Sequence, residues 1–384
     1  MIKIIKHGAL ICAMVVSLPA NAAVLYATAA NISSIWQSAS EGDTIKLSGV
    51  FADTVALQNK TVSNAITIDA TQATFTATLK LQAVSGIRVV GGTFDATGGP
   101  NAYGKAIVVY SSSNVSFDQT NVVSTVGYPE AGISFQGVTN GQVTNSTFAN
   151  VGVGVGVTGS SHITLTGNKV VGATKDGFDI YNDHSVLVSN NSCSGGQPSA
   201  GAHPDCVQLA STKGLAPSSD IRVINNTATG ATQGFTSFLG SAGGNLNVAI
   251  SGNIVNTTFS QGVACYGCVD SFITDNFISA QPGAAHFINL NVIGGTNNVV
   301  TGNTWLTDAV YLPNDYAAAY RELTGTAYVA PNVPGAATPG SSPSTAQLVG
   351  TNSVVPEPGE WMMLLLGFAT IGMAQRRRAT MIAN

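Results

Sequence analysis

The stretches SHITLTGNKV (161–170) and HSVLVSNNSC (184–193) decide the fold, because each is a short β-branched strand closed by an asparagine. Five more segments between residues 141 and 306 repeat this pattern. The closing asparagines are Asn145, Asn168, Asn191, Asn226, Asn253, Asn276 and Asn303, separated by 23, 23, 35, 27, 23 and 27 residues. A base period near 23 suits a coil of three short strands and three turns, at about 3.3 Å per strand residue. The repeat therefore predicts a β-solenoid in which these asparagines tolerate left-handed backbone and stack their amides as structural elements.

A second set of strands keeps the same phase. Phe178 and Ile180 alternate with polar residues, and so do Val207 and Leu209 on the next coil, as expected for strands with one face on a core. The chain has 43 glycines and only 9% charged residues, which agrees with a coil of tight turns. The pattern predicts an all-β fold, a single-stranded right-handed parallel β-helix.

The first coil of such a solenoid would expose its core at the open end. Ile32, Ile35 and Trp36 have helical spacing just before the first long strand. A short amphipathic helix at this place would cover the open end, because terminal repeats need a cap. We therefore expect an N-terminal cap helix.

Both ends of the chain have the composition of targeting segments. Residues 1–22 hold two lysines, an apolar run and small residues near the end, the layout of a cleaved secretory signal peptide. Residues 354–384 combine Pro-Glu-Pro, an apolar segment (361–374) and three consecutive arginines, and this combination resembles the PEP-CTERM sorting signal. The resemblance implies an exosortase-type sorting enzyme as partner and transient membrane association through residues 361–374. It also implies export to the periplasm, cell surface or extracellular matrix of a Gram-negative bacterium.

The remaining sequence divides into a β-helix domain (23–329) and a Pro/Ser/Gly linker (330–353) with too few apolar residues to pack. Removal of both end segments leaves a net charge near −7. Nucleic acid is a poor partner for such a surface, because binding requires neutralisation of phosphates.

Four cysteines remain in the exported chain: Cys193, Cys206, Cys265 and Cys268. An even number permits disulfides in an oxidising compartment, and the sequence leaves three pairings open. The spacing of Cys265 and Cys268 also fits half of a zinc site or a redox pair.

Charged residues concentrate in KDGFDIYNDH (175–184), in an otherwise weakly charged chain. Stacking of consecutive coils would place Asp176 next to Asp205 and Asp179 next to Gln208. Coils lie about 4.8 Å apart, so the three carboxylates could share one surface patch. Their repulsion would raise the pKa of at least one of them.

The 35-residue interval contains the insertion CSGGQPSAGAHPDC (193–206), which could wall a cleft and bring a histidine beside the carboxylates. The catalytic candidates are Asp176, Asp179, Asp205 and His203. The substrate-binding candidates are Gln208, Tyr181, Tyr266 and Lys175, with the tyrosines as stacking surfaces for sugar rings. Asp183 and His184 are assigned to a turn.

Two strands carry a resemblance to known enzymes, within a wider likeness to pectate-lyase-like β-helix proteins over roughly residues 24–312. KDGFDI (175–180) is similar to the Asn-Thr-Asp-Gly-Phe-Asp-Ile strand of polygalacturonase-type glycoside hydrolases, and PDCVQL (204–209) to their Asp-Asp-Cys-Val-x-Ile strand. The resemblance implies that Asp176 and Asp205 orient or activate water in an inverting hydrolysis.

The same resemblance breaks at Pro204, which stands where those hydrolases have their general acid. A general acid contributes roughly 10²–10⁴-fold to the rate. Because this proton donor is missing at Pro204, we do not expect hydrolysis of polygalacturonate by the route of those enzymes. His203 could substitute only if the loop folds back.

DGFDIY (176–181) is also similar to the Tyr-Gly-Phe-Asp-Pro-His strand of alginate C5-epimerases and related lyases. Asp179 matches their Asp, whereas Tyr181 stands where they have His. That chemistry implies a base near C5 and an acid near O4. Ca²⁺ held by Asp176, Asp179 and Asp205 is a further expectation, because this hard cation takes oxygen ligands and could bridge an acidic sugar to the protein.

Two classes of function stay open. Repulsion between stacked carboxylates destabilises the coil, so their presence favours a functional role. The first class is an exported enzyme that acts on polysaccharide as hydrolase, lyase or epimerase, with its site around residues 176–208. The alternative is a non-catalytic cell-surface or matrix β-helix that binds carbohydrate, which fits the missing general acid and the sorting tail.

Overall fold

The computed structural model describes residues 22–96, 104–124, 130–199, 202–212, 215–238, 243–284 and 288–309. Within them the chain forms a parallel β-solenoid of about nine turns with one short helix near the N-terminus. Strands of successive coils pair in parallel, so the described strands form three stacks along the solenoid axis. The predicted all-β parallel fold is confirmed.

Stack 1 carries the candidate site. It contains the starts of β3 (Val55–Phe75) and β4 (Leu79–Val90), then β6 (Lys105–Tyr110), β9 (Ala131–Gln136), β12 (Val153–Thr158), β15 (Phe178–Tyr181), β18 (Asp205–Ala210), β21 (Gln233–Ser237), β24 (Gln261–Tyr266) and β27 (Asn289–Ile293).

Stack 2 follows in each coil. It contains β1 (Val24–Ala27), the start of β2 (Thr44–Phe51), later parts of β3 and β4, then β7 (Ser113–Asp118), β10 (Thr139–Thr144), β13 (Ser161–Thr166), β16 (His184–Ser189), β19 (Ser219–Ile224), β22 (Leu246–Ser251), β25 (Phe272–Thr274) and β28 (Val299–Thr301).

Stack 3 closes each coil. It contains the ends of β2 and β3, then β5 (Thr93–Asp95), β8 (Asn121–Val123), β11 (Thr147–Ala149), β14 (Lys169–Val171), β17 (Ser192–Ser194), β20 (Thr227–Gly230), β23 (Ile254–Thr257), β26 (Phe277–Ala280) and β29 (Thr304–Ala309). The loops that lead from stack 3 back to stack 1 border the candidate site.

The core is a continuous column of apolar side chains inside the coils. Phe51, Phe75 and Phe94 stack on successive coils with ring centroids 4.7 and 4.6 Å apart, close to the usual spacing of strands. In the central coils, pairs such as Phe178 and Val207 are fully buried. Each coil therefore buries its apolar face against its two neighbours, as in other repeat structures.

The predicted cap helix is confirmed as α1 (Ile32–Ser38). Ile32 and Trp36 are buried, and Ile35 packs against the core. The Trp36 indole N–H donates to Gln58 O at 3.1 Å, which anchors the helix to the next coil.

Asparagines between stack 2 and stack 3 form a hydrogen-bonded ladder. Asn226 Oδ1 accepts both the backbone N–H and the side-chain amide of Asn191, at 2.9 and 3.0 Å. Asn226 Nδ2 donates to Val188 O at 2.9 Å and to Asn253 Oδ1 at 3.1 Å. The ladder consists of Asn168, Asn191, Asn226, Asn253, Asn276 and Asn303. These amides satisfy the buried backbone groups of the corner, which confirms their structural role.

For Asn145 the predicted left-handed backbone is confirmed, but its predicted place in the ladder is wrong. Ser146 holds the ladder position on that coil, and its N–H donates to Asn168 Oδ1 at 3.0 Å. Asn145 is exposed with φ 50°, and the ladder asparagines do not adopt positive φ; the residue before each rung does, for example Asn190 and Asn225. The left-handed turn and the amide ladder are two adjacent positions, which the sequence pattern merged into one.

The predicted signal peptide (1–22), linker (330–353) and sorting segment (354–384) lie outside the described residues, apart from Ala22. The last part of the predicted β-helix domain (23–329), from residue 310 onward, lies outside them as well. Within the described residues, no helix has the length and apolar character that a membrane crossing would require.

Candidate active site

The register of stack 1 brings the predicted carboxyl groups together. Phe178 pairs with Val207, and Asp179 pairs with Gln208, as the sequence predicted. Asp205 continues the neighbouring column, because its backbone N–H donates to Asp176 Oδ1 at 2.7 Å. We refer to Asp176, Asp179 and Asp205 as the carboxyl cluster.

Gly177 lets the two coils approach closely beneath the carboxyl cluster. A Cβ at this position would lie 2.5 Å from both Cys193 Sγ and Cys206 O, far inside van der Waals contact. The Gly177 N–H donates to Asp205 O at 2.8 Å. Glycine is therefore required here by space, and it fixes the separation between Asp176 and Asp205.

The insertion is tied to the core by a disulfide between Cys193 and Cys206, whose Cα atoms are 5.5 Å apart. It returns His203 to the carboxyl cluster, where Nδ1 lies 3.4 Å from Asp205 Oδ2. The predicted return of the loop is thus observed. The second disulfide joins Cys265 to Cys268, so this pair is neither half of a zinc site nor two free thiols.

Asp205 is the most connected member of the carboxyl cluster and is almost fully buried. Thr236 Oγ1 donates to its Oδ1 at 2.8 Å, and Gln208 Nε2 donates to its Oδ2 at 3.2 Å. Burial raises the pKa of Asp205, although the contact with His203 opposes the rise. Its oxygens are held in fixed positions, which suits a residue that orients His203.

Asp176 and Asp179 behave as a coupled acid pair. Burial, with the charges of Asp179 and Asp205, holds the pKa of Asp176 well above its usual range. Burial raises the pKa of Asp179 to about 7, opposed by a hydrogen bond with Asp176 and by the charge of Lys175. Near neutral pH the pair therefore holds a proton between two carboxyl groups, one acting as donor and the other as acceptor.

His203 is poised for proton transfer at the rim of the cluster. The hydrogen bond to Asp205 raises the pKa of His203, and partial burial opposes this effect. Its side chain is 47% exposed, whereas that of Asp205 is fully covered. The imidazole is thus oriented from Nδ1 and accessible from solvent, an arrangement typical of a general acid or base.

The substrate-binding candidates divide into two groups. Tyr181 belongs to the network, because its hydroxyl donates to Gln208 Oε1 at 2.6 Å; burial and the nearby carboxylates raise the pKa of Tyr181 and keep it neutral. Lys175 is exposed and its Nζ lies 3.7 Å from Glu130 Oε1, so its charge is partly offset by another residue. Tyr266 lies farther along stack 1, where its hydroxyl accepts from Gln261 Nε2 at 2.9 Å.

Phe238 was missed by the sequence reading. Its ring stacks on Tyr266 with centroids 5.9 Å apart and meets the His203 ring edge-on, also at 5.9 Å. These three side chains form an aromatic row along stack 1, next to the carboxyl cluster. Phe238 follows the end of β21, and the register of β21 on β24 places it one coil before Tyr266, so alignment of these two strands in the sequence is the signal that could have found it.

Asp183 and His184 lie at the corner between stack 1 and stack 2, as predicted. Asp183 is buried and accepts the backbone N–H groups of Ser160 and Tyr181 at 2.5 and 2.9 Å. Burial raises the pKa of Asp183 to about 7, and these hydrogen bonds oppose the rise. His184 is exposed at the start of β16. Both residues are structural.

The expectation of a calcium site stays a prediction, without support from the arrangement of the side chains. Among the residues that the structure describes, no three His, Cys, Asp or Glu side chains are arranged to hold a metal ion. Calcium takes six to eight oxygen ligands, whereas Asp176 and Asp205 already accept hydrogen bonds from the protein and the Asp176–Asp179 pair retains a proton.

Comparison with known proteins places the fold. The model of the family described as "Right handed beta helix region" matches residues 81–242. No curated protein sequence is significantly similar to the chain.

Among solved structures, an endo-xylogalacturonan hydrolase from Aspergillus tubingensis is similar with a TM-score of 0.50, at 14% identity over 75% of this chain and 98% of that one. An alginate lyase from Paenibacillus sp. str. FPU-7 gives 0.49, at 17% identity over 72% and 99%. The Streptococcus pneumoniae surface protein and adhesin PfbA gives 0.46, at 10% identity over 73% and 88%. At identities this low, the similarity supports the fold alone. The chain is a right-handed parallel β-helix.

Proposed function

We propose that the protein hydrolyses a polysaccharide at the carboxyl cluster, with His203 as the proton donor. The observation that carries the proposal is the placement of a half-exposed imidazole against the buried Asp205, beside a carboxyl pair that shares a proton. Hydrolysis of a glycosidic bond needs one group to protonate the leaving oxygen and another to activate water. The site contains both kinds of group on adjacent coils.

In this proposal His203 replaces the acid that is missing at Pro204. The Asp205 carboxylate contacts His203 Nδ1 and stabilises the protonated imidazole. His203 Nε2 can then donate its proton to the leaving oxygen. Asp179 acts as the base that takes a proton from water, since its pKa of about 7 lies near the working pH. Asp176 tunes that base through their shared proton.

Elimination and epimerisation are less well supported. Both remove the C5 proton of a uronic acid, which becomes more acidic when a cation neutralises the carboxylate of the sugar. The strands of stack 1 from β9 to β27 contain no Lys or Arg, and Lys175, the lysine next to the carboxyl cluster, has its Nζ 3.7 Å from Glu130 Oε1. Hydrolysis does not need such a cation.

The test is an assay of the full chain with uronate, neutral and amino-sugar polysaccharides, with and without EDTA. We expect new reducing ends, and a 10²–10⁴-fold loss of rate in His203→Gln and in Asp179→Asn. His184→Gln, an exposed histidine on stack 2, serves as the matched control and should retain full activity. Unchanged rates in the first two variants would refute the assignment, and unsaturated uronate ends or an altered epimer ratio would assign a lyase or an epimerase.

A second candidate function is carbohydrate binding without turnover. The aromatic row of His203, Phe238 and Tyr266 favours it, because such rings offer flat apolar surfaces to sugar rings. If the protein binds a polysaccharide and produces no new reducing ends, this alternative is supported.

Export is part of the same proposal. Two disulfides suit an oxidising compartment. We propose export to the periplasm, surface or matrix of a Gram-negative cell, with sorting by an exosortase-type enzyme through residues 354–384. Cell fractionation of the intact chain and of a variant in which Pro-Glu-Pro is replaced by Ala-Ala-Ala tests this, and identical distribution of the two would argue against sorting.

A further inference from the structure

Gly156 is an outward-facing residue of β12, and no contact within the described residues requires a glycine there. Val155 and Val157 on either side of it are fully buried, so position 156 points away from the core. Its φ is not positive, and a Cβ built on it would meet nothing within 4 Å. Every other glycine among the described residues either has a positive φ or would bring a Cβ within 3 Å of another atom.

Gly154, two residues earlier on the same strand, is a glycine that the fold does require. A Cβ at Gly154 would lie 2.5 Å from Gly177 O and 2.9 Å from Val170 Cγ2. The close approach of the next coil therefore excludes any side chain at this position. The same strand thus contains one glycine that packing explains and one, Gly156, that packing does not explain.

A glycine inside a strand weakens it, and it commonly marks a bulge, a tight bend, or the close approach of another backbone or a ligand. Gly156 pairs with Ser134 on β9 and with Asp179 on β15, and neither pairing shifts register, so it marks no bulge. No other backbone lies within 4 Å of the Cβ position. The approach of a ligand is the remaining reason for a glycine here.

The space above Gly156 lies next to Asp179 in the same outward column. On the other side of Asp179 the column is filled by Gln208, whose side chain is bonded to Tyr181 and to Asp205. On the side of Gly156 there is no side chain, and Asp179 is only partly buried. The base of the proposed hydrolysis is therefore approachable along β12.

Groups that can bond to sugar hydroxyls surround this space. Gln136 and Thr158 pair with each other in the next outward column, and Thr158 is exposed. Lys175 is exposed as well, and its charge reaches Asp179, whose pKa it lowers. A hydroxyl-rich ring above Gly156 would thus meet an amide, a hydroxyl and an ammonium group.

We propose that Gly156 forms the floor of a subsite that receives one sugar ring of the polysaccharide, directly beside Asp179. The proposal rests on the proposed function for its ligand class, and it adds a specificity-determining residue on β12. Without a side chain, this strand lets the ring approach the sheet closely. The aromatic row lies on the opposite side of the carboxyl cluster, so a polysaccharide that extends along stack 1 contacts both surfaces.

The test compares the wild-type chain with Gly156→Ala and Gly156→Leu by calorimetric titration with hexamers of galacturonate, of glucose and of N-acetylglucosamine. We expect the hexamer that binds the wild type to bind several-fold more weakly to Gly156→Ala and roughly tenfold or more weakly to Gly156→Leu, because the new side chain occupies the space of the ring. Thr164→Leu adds the same side chain at an outward position of the same coil, on stack 2, and should bind as the wild type does.

Two results of this titration would overturn the proposal. One is equal affinity of the wild type and Gly156→Leu. The other is that the wild type binds none of the three hexamers.

Thermal unfolding separates a subsite from a role in the fold. Gly156→Ala should keep or raise the melting temperature, because a residue with a Cβ loses less conformational freedom when the strand forms. Gly154→Ala should lower the melting temperature, because its Cβ would collide with Gly177 O. A fall in Gly156→Ala as large as that in Gly154→Ala would show that Gly156 serves the fold, and would reject the subsite.

The outcomes also distinguish this proposal from the proposed hydrolysis. Binding that is lost in Gly156→Leu, with no new reducing ends produced by the wild type, would support the subsite and reject hydrolysis. Wild-type turnover by Gly156→Leu, together with loss of activity in His203→Gln, would support hydrolysis and reject the subsite.

Discussion

The asparagine ladder and the carboxyl cluster are both rows of polar residues that continue from one coil to the next, yet they differ in how their needs are met. In the ladder, both the donors and the acceptor of Asn226 are bonded to adjacent coils. In the carboxyl cluster, three acids repel one another and a nearby acceptor, Gln233 Oε1, has no donor among the described residues. The first row stabilises the solenoid; the second is held in place by the rest of the fold, which is the usual condition of a functional site.

The substitution Asp179→Asn is expected to have the largest effect on the difference between the two rows. We expect catalytic activity to fall 10²–10⁴-fold, because the base is lost, while the melting temperature stays the same or rises. The rise would come from relief of the repulsion with Asp176 and Asp205. Activity assays and thermal unfolding of the same preparation measure both effects, and a fall of several degrees would show that Asp179 serves the fold.

The next largest effect concerns stability as a function of pH. The pKa values of Asp179 and Asp183 are raised to about 7 in the folded state, so this state binds protons more tightly than the unfolded chain. Their contribution is fully present below about pH 4 and is lost as the pH rises through about 7. For Asp183, a rise of about 3 units corresponds to a limit of about 4 kcal/mol.

We therefore expect the protein to melt at a higher temperature at pH 5 than at pH 8. Asp183→Asn should reduce the difference between the two melting temperatures. The shifts of Asp176, Asp205 and His203 have the same sign, so part of the difference should remain in this variant. Calorimetry at the two pH values checks this, and greater stability at pH 8 would contradict the assigned burial effects.

A third experiment removes one rung of the ladder. Asn226→Ala leaves Val188 O and the N–H of Asn191 without their partners inside the protein. We expect a loss of about 3 kcal/mol in the free energy of unfolding, because buried groups without partners are costly. Denaturant unfolding measures the loss, with the exposed Asn64→Ala as control. A loss similar to that of the control would mean that water replaces the missing rung.

The smallest effect is expected at the aromatic row. Phe238→Ala removes the ring between His203 and Tyr266 and should weaken glycan binding by about 1 kcal/mol, roughly fivefold, without changing the melting temperature. Phe272→Ala, an exposed phenylalanine on stack 2, is the control. Equal affinities of the two variants would remove the row from the binding surface.

Periodic features of the sequence predicted much of the fold. Asparagine spacing gave the coil length, and the alternation around Phe178 and Val207 gave the register that the structure confirms. Asn145 was misplaced by one residue, because asparagine suits both the left-handed turn and the ladder. Periodicity alone cannot separate these two adjacent uses.

The candidate site was only partly accessible from the sequence. Stacking of coils brought Asp176 and Asp205 together, as predicted. Phe238 was missed although it is in register with Tyr266 one coil on; only its contact with His203 depends on the path of a loop. The pairing of Cys193 with Cys206 depended on the path of the insertion, which no repeat constrains.

That pairing has a consequence for the histidine. The disulfide closes the insertion into a ring that spans 13 positions, with His203 only three residues before Cys206. A free loop would let the imidazole sample a large volume, whereas the ring keeps its effective concentration near Asp205 high. Mild reduction should therefore lower the fraction of molecules with the imidazole in place, and so make the readiness of the site depend on the redox state of its surroundings.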